Sequence, residues 1–87
     1  MDRNAIMVDP RDNVAVAIVG IKAGEKVAGL AGRELTAAAD IPRNHKVAVV
    51  KISAGAPVIK YGESIGVAAA DIAAGEWVHT HNLKAEA

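Results

Sequence analysis

Val58-Ile-Lys-Tyr-Gly-Glu-Ser-Ile-Gly66 opens the stretch that decides the fold, and Gly75-Glu-Trp-Val-His-Thr-His-Asn82 closes it. Within that stretch, the phrase Ile72–Val78 has an Ile, then a Gly or Asn three residues later, then a Val three residues after that. Four copies of it occur in the chain: Ile21–Val27, Ile41–Val47, Ile52–Val58 and Ile72–Val78. Because Gly and Asn tolerate positive φ, each copy predicts a tight turn between two strands, with its Ile and Val directed inward.

The spacing of the four copies reveals a longer internal repeat. They begin at residues 21, 41, 52 and 72, so the true unit is 31 residues (21 to 52, and 41 to 72). The segment Ala-Ala-Ala-Asp-Ile occurs at 37–41 and again at 68–72. A period of this length can indicate a solenoid, but two copies are too few to stack into one. We therefore expect a mainly β domain that is built from two similar halves.

The strands themselves are predicted from alternation. The larger side chains of the segment after Asn13 are Val14, Val16 and Ile18, which places them on one face of a strand. Ile6–Val8 is a candidate for a short leading strand. The two Ala-Ala-Ala-Asp segments favour a helix by propensity, but isolated helices so short are marginal. We expect both segments to be mainly extended.

Composition limits the kind of partner this chain can have. It has 87 residues, with ten Lys and Arg against ten Asp and Glu, so its formal net charge is zero and neither nucleic acid nor an anionic membrane is an expected partner. Apolar residues make up 52%, yet there is no Phe, one Tyr and one Trp. Such a thin core predicts support from a partner chain or from further copies of the chain.

The same composition bears on location. No cysteine is present, which fits a reducing compartment, and no apolar run approaches the ~20 residues of a spanning helix. No targeting segment is recognised at the start of the sequence. We expect a soluble, cytoplasmic protein.

The residues that could perform chemistry lie near the end of the chain. His79-Thr80-His81 lies on a predicted strand, so His79 and His81 share a face with Trp77, at Cα separations of ~6.5–7 Å. Two such imidazoles could hold a carboxylate, transfer a proton or supply two metal ligands. The alternative is an exposed strand with solvated histidines. A metal would need a further ligand, and the sequence does not select one from the candidates His45, Asp71 and Glu76.

Lys60-Tyr61-Gly62 forms a second candidate group. A lysine beside a tyrosine and a flexible glycine can clamp a carboxylate by charge and a phenolic hydrogen bond. The alternative is a surface lysine, a tyrosine that fills a gap in the core and a turn glycine. His45-Lys46 lies in one of the turn phrases and could face the same rim, because the repeat places Lys46 opposite Trp77.

Taken in order and with their spacing, several of these motifs resemble the SAF domain of the altronate and galactarate dehydratases. The resemblance extends from about Asn13 to Asn82. It rests on His45-Lys46-Val47, Val58–Gly62, Ile65-Gly66, Asp71-Ile72, Gly75-Glu76, Val78-His79 and His81-Asn82. It implies a β-clip (SAF-like) fold at residues 13–82, with a lead-in at 1–12 and a tail at 83–87.

The family eliminates water from sugar acids, and a relative, the sulfolactate sulfo-lyase, eliminates sulfite. It occurs either as one long chain or as a small subunit beside a large one, and a chain of 87 residues resembles the small subunit. The resemblance thus implies a lyase, a hydro-lyase acting on hexonates or hexarates, that is active only with a large subunit. The alternatives are a sulfolactate sulfo-lyase small subunit and a non-enzymatic module that binds a carbohydrate or a protein.

The resemblance also implies roles for individual residues. His79 and His81 are the expected groups for proton transfer. The expected contacts to the sugar-acid substrate are Lys60, Tyr61, Asn82, His45 and Lys46. A divalent metal, if one is used, is expected to be held mainly by the large subunit. The chain departs from the family pattern at Trp77, where relatives often have His, and at Asn44, where they often have Gly.

Overall fold

Seven short antiparallel strands form the part of the chain described by the computed structural model, which covers residues 3–30 and 32–85. They are β1 (Ala5–Ile6), β2 (Val14–Ala17), β3 (Lys46–Ala48), β4 (Pro57–Lys60), β5 (Glu63–Ala68), β6 (Trp77–Val78) and β7 (Leu83–Lys84). The prediction of a mainly β protein is thereby confirmed. Within these two ranges there is no helix long and apolar enough to cross a membrane.

The strands form two sheets. The first has the order β1-β2-β3-β6 and the second the order β4-β5-β7. Strand β1 lies in the segment predicted as a lead-in, and β7 lies in the segment predicted as a tail, yet each pairs with a neighbour. The domain limits stay a prediction, since residues 1, 2, 86 and 87 fall outside the described ranges.

The four turn phrases adopt the backbone that was predicted for them. The φ angle at the third residue after each Ile is positive, with values of 89° at Gly24, 69° at Asn44, 83° at Gly55 and 90° at Gly75. The Ile and Val residues that flank these turns are buried: Ile21, Val27, Ile41, Val47, Ile52, Val58, Ile72 and Val78. Tight turns with inward apolar flanks are thus confirmed.

The Ala-Ala-Ala-Asp segments are extended or bent, and the aspartate of each has a structural use. Asp40 Oδ1 accepts a hydrogen bond of 2.9 Å from the amide of Ala23, and Asp71 Oδ1 accepts one of 2.8 Å from Ala54. Each carboxylate therefore satisfies an amide at the tip of a neighbouring turn. This bond favours the extended path, because a helical turn would carry the carboxylate away from that amide.

The first sheet is covered on both faces, so its strands alternate between two apolar clusters. Ala15 and its cross-strand partner Val47 belong to one cluster, while Val14 and its partner Ala48 belong to the other. The predicted strand after Asn13 is confirmed, but its small residues are buried as fully as Val14 is. Ala15 and Ala17 thus permit close packing on the strand face where the sequence pattern placed the smaller side chains.

Candidate functional site

Four aromatic rings meet at the end of β6. The indole of Trp77 lies at ring-centroid distances of 5.6 Å from His45, 5.5 Å from His79 and 4.9 Å from His81. The Trp77 and His79 rings are nearly parallel, at 8°, and the His45 and His79 rings are 4.5 Å apart. All three histidines of the chain therefore contact one indole or one another.

Strand register brings His45 into this cluster. Strands β3 and β6 pair antiparallel with Val47 opposite Trp77. His45, two residues before Val47, and His79, two residues after Trp77, therefore approach each other just beyond the paired ends of β3 and β6. Val78, which lies between Trp77 and His79 in the chain, is fully buried on the other face of β6. The side chains of His45 and His79 therefore meet outside the core.

The prediction that His79 and His81 lie on a strand is wrong, because β6 ends at Val78 and a turn follows. The carbonyl of His79 accepts hydrogen bonds from the amides of Asn82 and Leu83, at 3.1 and 2.8 Å. These bonds reverse the chain before β7. In this turn both imidazoles still contact Trp77. The three side chains are therefore close together, as predicted, although the two histidines do not lie on a strand.

Asn82 fastens the turn that carries the imidazoles. Its Oδ1 accepts from the amide of His79 at 2.9 Å, and its Nδ2 donates to the carbonyl of Trp77, also at 2.9 Å. Both ends of the Asn82 side-chain amide thus bond backbone groups, one of His79 and one of Trp77, whose rings stack. A direct contact between Asn82 and substrate stays a prediction, while its support of the ring cluster is a feature of the structure.

Asn82→Ala is expected to lower the free energy of unfolding by about 1–3 kcal/mol, because it removes two partly buried hydrogen bonds. Urea denaturation of the purified chain measures the loss. Asn82→Asp keeps an oxygen that can accept from the amide of His79 but places a carboxylate oxygen against the carbonyl of Trp77, so it should also be less stable than wild type. Wild-type stability in the alanine variant would contradict this reading of the turn.

Two lysines extend the cluster into a basic surface. Burial of part of its side chain lowers the pKa of Lys46, and the charge of Lys60 lowers it further. Lys46 also acts on His79, whose pKa its charge depresses. The charge of Lys46 therefore interacts with that of Lys60 on β4 and with His79 in the turn after β6.

The Lys60-Tyr61-Gly62 corner is the turn of the β4–β5 hairpin. Tyr61 and Gly62 both have positive φ, at 55° and 77°, as a two-residue hairpin turn requires. A left-handed conformation costs a residue such as tyrosine ~1–2 kcal/mol. The Lys60 ammonium lies 4.8 Å from the centre of the Tyr61 ring, and 54% of Tyr61 is exposed. The alternative that this tyrosine fills a gap in the core is therefore wrong.

Two residues that the sequence did not single out hold this corner. Asp12 is only 3% exposed, and its Oδ1 accepts from the amide of Gly62 at 2.8 Å. Asn13 bonds the second sheet through both ends of its amide, donating to the carbonyl of Pro57 and accepting from the amide of Ile59. No local signal in the sequence indicates these contacts, which join residues more than 40 positions apart in the chain.

The pKa of His79 lies below its ordinary value of 6.5. The main cause is partial burial, followed by the positive charges of His45, Lys46 and His81. The folded chain therefore binds a proton at His79 less readily than the unfolded chain does. Near neutral pH this imidazole is uncharged and able to accept a proton, as a general base must.

Acid is expected to destabilise the fold through His79. The contribution of His79 to the free energy of unfolding is fully present above its ordinary pKa of 6.5. It is lost as pH falls through the lower pKa of His79 in the folded state. Urea midpoints measured from about pH 8 to about pH 5 should therefore fall less steeply in His79→Gln than in wild type. Identical slopes in the two proteins would show that His79 does not carry this linkage.

The acidic residues proposed as metal ligands are used elsewhere. Asp71 bonds the amide of Ala54, and Glu76 accepts from the amide of Ala73 in its own turn. Within the described ranges, no group of three or more His, Cys, Asp or Glu is arranged to hold a metal ion. The donor set of this surface, two lysines and three imidazoles, is suited to an anion. By itself this part of the chain does not fit a divalent-metal site.

Two of the hollows in the described part of the chain lie away from the basic surface. One, of about 280 Å³, is lined by residues 26–28 and 33–36, and another lies along residues 20–22 and 40–42. Neither includes a member of the ring cluster or either of the two lysines.

Comparison with known proteins gives consistent matches. The altronate/galactarate dehydratase SAF domain matches residues 3–86. The chain is 46% identical to the altronate dehydratase of Escherichia coli (strain K12) over 79 residues, which are 91% of this chain but 16% of that enzyme. It is 56% identical over 50 residues to the (2R)-sulfolactate sulfo-lyase subunit alpha of Paracoccus pantotrophus, covering 58% of this chain and 75% of that subunit.

A further relative matches along nearly its whole length. The (2R)-sulfolactate sulfo-lyase subunit alpha of Chromohalobacter salexigens is 33% identical over 90 residues, which cover 97% of this chain and 96% of that subunit. The chain thus spans about a sixth of the altronate dehydratase and almost all of this subunit alpha.

Proposed function

The chain belongs to the altronate/galactarate dehydratase SAF domain family, and from this membership we propose that it is the small subunit of a sugar-acid dehydratase of the altronate dehydratase type. In this proposal it supplies substrate-contacting residues to a site that a large subunit completes, in the cytoplasm. The observation that carries the proposal is the cluster of His45, His79 and His81 around Trp77, with the charge of Lys46 acting on His79.

The chemistry of dehydration suits these residue types. A base removes the proton next to the carboxylate, and an acid protonates the hydroxyl that leaves the neighbouring carbon as water. Lys46 and Lys60 would hold the carboxylate by charge, and Tyr61 and His45 would donate hydrogen bonds to the substrate. His79, whose pKa is lowered, would accept the proton, and the exposed His81 would serve the leaving hydroxyl. Any divalent metal would be supplied mainly by the large subunit.

A second candidate is the small subunit of a sulfolactate sulfo-lyase. It is favoured by the match to a subunit alpha over 96% of that subunit's length. Both substrates are carboxylates, so the lysines would have the same use in either reaction, and the difference would lie in the group expelled. A third candidate is a binding module without activity. It would use the same contacts to an anionic ligand and would need no base.

The fold proposal is a β-clip made of two similar halves. It is supported by pairs of contacts that recur 31 residues apart. The bridge between Ile21 and Ile41 has a counterpart between Ile52 and Ile72. The 2.8 Å bond from the amide of Gly24 to the carbonyl of Ala37 likewise has one of 2.8 Å from Gly55 to Ala68. A duplicated unit explains why these contacts share both residue types and geometry.

Affinity purification of the tagged chain from its native cells tests the proposed function. We expect a large dehydratase-like chain to co-purify, and the reconstituted pair to dehydrate altronate or galactarate while each chain alone is inactive. Release of sulfite from sulfolactate, without dehydration, would favour the second candidate. Binding of galactarate by the isolated chain, with no large partner and no turnover, would favour the third. The mass of the purified assembly would also show whether the chain associates with copies of itself.

A further inference from the structure

We propose that Trp77 is a positioning residue that holds His45 as the tautomer protonated at Nε2. In this tautomer His45 can donate a hydrogen bond to an anion bound at the basic surface. This inference rests on the proposed function for the identity of the ligand, a carboxylate or hydroxyl oxygen of a sugar acid. The tautomer itself follows from geometry within the chain.

The decisive contact is a side-chain hydrogen bond between β6 and the turn before β3. Trp77 Nε1–H donates to His45 Nδ1 at 3.0 Å. An indole nitrogen can only donate, so the Nδ1 that receives this bond carries no hydrogen. The hydrogen of the neutral imidazole is therefore on Nε2. Trp77 thus fixes the tautomer of His45.

The other nitrogen of His45 is left for a ligand. The indole bond is the only hydrogen bond that the His45 ring makes within residues 3–30 and 32–85, and no side-chain nitrogen there is both buried and unsatisfied. Nε2–H is thus accessible and unused by this part of the chain. It is a neutral donor beside the charged Lys46, which suits an oxygen of the same anion.

Trp77 is itself held from several sides, which allows it to act as a positioning group. Its ring is partly buried against the core cluster that contains Val47, and its carbonyl accepts from Asn82 Nδ2. The ring stacks on His79 and contacts His81. Neither of these imidazoles receives the indole hydrogen, so both keep nitrogens that can accept a proton. The indole therefore makes His45 a hydrogen-bond donor and leaves the nitrogens of His79 and His81 available for proton transfer.

Heteronuclear NMR of the full chain labelled with ¹⁵N tests the tautomer. We expect a scalar coupling across the hydrogen bond between Trp77 Nε1 and His45 Nδ1, with the imidazole hydrogen at Nε2. His81 is the internal control, because it contacts the indole without such a bond and should show no coupling. A hydrogen at His45 Nδ1, or no coupling to it, overturns the proposal.

Trp77→Phe tests the positioning role, since it keeps an aromatic ring and removes the indole N–H. If the variant keeps a dispersed amide spectrum, we expect a mixture of His45 tautomers, and on the order of tenfold lower kcat/KM in the reconstituted pair, mainly through KM. Unchanged kcat/KM overturns the role of the His45 donor in substrate contact. Inactivity of the wild-type pair on every acid contradicts the proposed function instead, and is distinguishable because the coupling is measured without substrate.

Discussion

Alanine in place of Gly75 is expected to lower the free energy of unfolding by about 4 kcal/mol or more, whereas alanine in place of Gly24 should cost only about 1–2 kcal/mol. Both glycines occupy the same place in a turn phrase and have nearly the same φ, 90° and 89°. They differ in their surroundings. A Cβ at residue 75 would lie 2.3 Å from the carbonyl oxygen of Thr36 and 3.0 Å from the amide of Ala38, while a Cβ at residue 24 would meet nothing within 4 Å.

The clash at Gly75 involves backbone atoms, so no side-chain rotation can relieve it. Room for a methyl group would require the segment at Thr36 to move. That movement would break the 2.8 Å bond from the amide of Ala38 to the carbonyl of Gly75, and strain the 2.7 Å bond from Gly75 to Ala48. Strain, overpacking and lost bonds together should cost about 4 kcal/mol or more. A chain of 87 residues has roughly 4–13 kcal/mol in total.

Urea denaturation and amide NMR spectra of the two variants measure this difference. Gly55→Ala is a second control, because Gly55 also has positive φ, 83°, and open space around it. The two control variants should remain folded with similar losses. If Gly75→Ala lost no more stability than the controls, the close approach of this turn to the segment at Thr36 would be refuted.

The second large effect is expected in catalysis. His81→Ala should lower kcat of the reconstituted pair by about 10²–10⁴-fold, the usual contribution of a general acid or base. Stability should change by no more than about 0.5 kcal/mol, because His81 is exposed and its ring contact with Trp77 lies at the surface. The variant therefore separates chemistry from folding.

Initial rates with altronate and galactarate, together with urea denaturation of the small chain, measure both quantities. Lys51→Ala is a suitable control, since it removes a positive charge from an exposed residue outside the ring cluster. It should retain full activity. Full activity in His81→Ala would remove that residue from the site, whatever the oligomeric state of the enzyme.

The turns were predictable because their determinants are local. Gly24, Asn44, Gly55 and Gly75 each tolerate a left-handed backbone, and an apolar residue on either side of each turn marks the buried direction. Strand lengths were less predictable. β6 ends at Val78, because the carbonyl of His79 is committed to the turn that follows, and nothing in the alternation of residues announces that turn.

The candidate site was predictable in its residue types and only partly in its arrangement. His79 and His81 are neighbours in sequence, so their proximity required no knowledge of the fold. The contact of His45 with His79 depends on the register of β3 against β6, which is set by distant packing. The contact of the buried Asp12 carboxylate could not be predicted from local sequence, because its partner, Gly62, lies 50 residues away.

The fastening of the hairpin corner by Asp12 and Asn13 has a consequence for how the molecule would accept a ligand. Both residues lie at the entrance to β2 in the first sheet, and their bonds reach Gly62 and Ile59 in the second. These bonds tie the hairpin corner that carries Lys60 to the segment that enters the first sheet, where Lys46 lies on β3. Positive groups that are held in place before a ligand arrives need little reorganisation to capture an anion. In the proposed enzyme, any movement that shields the reaction from water would then have to come from the large subunit.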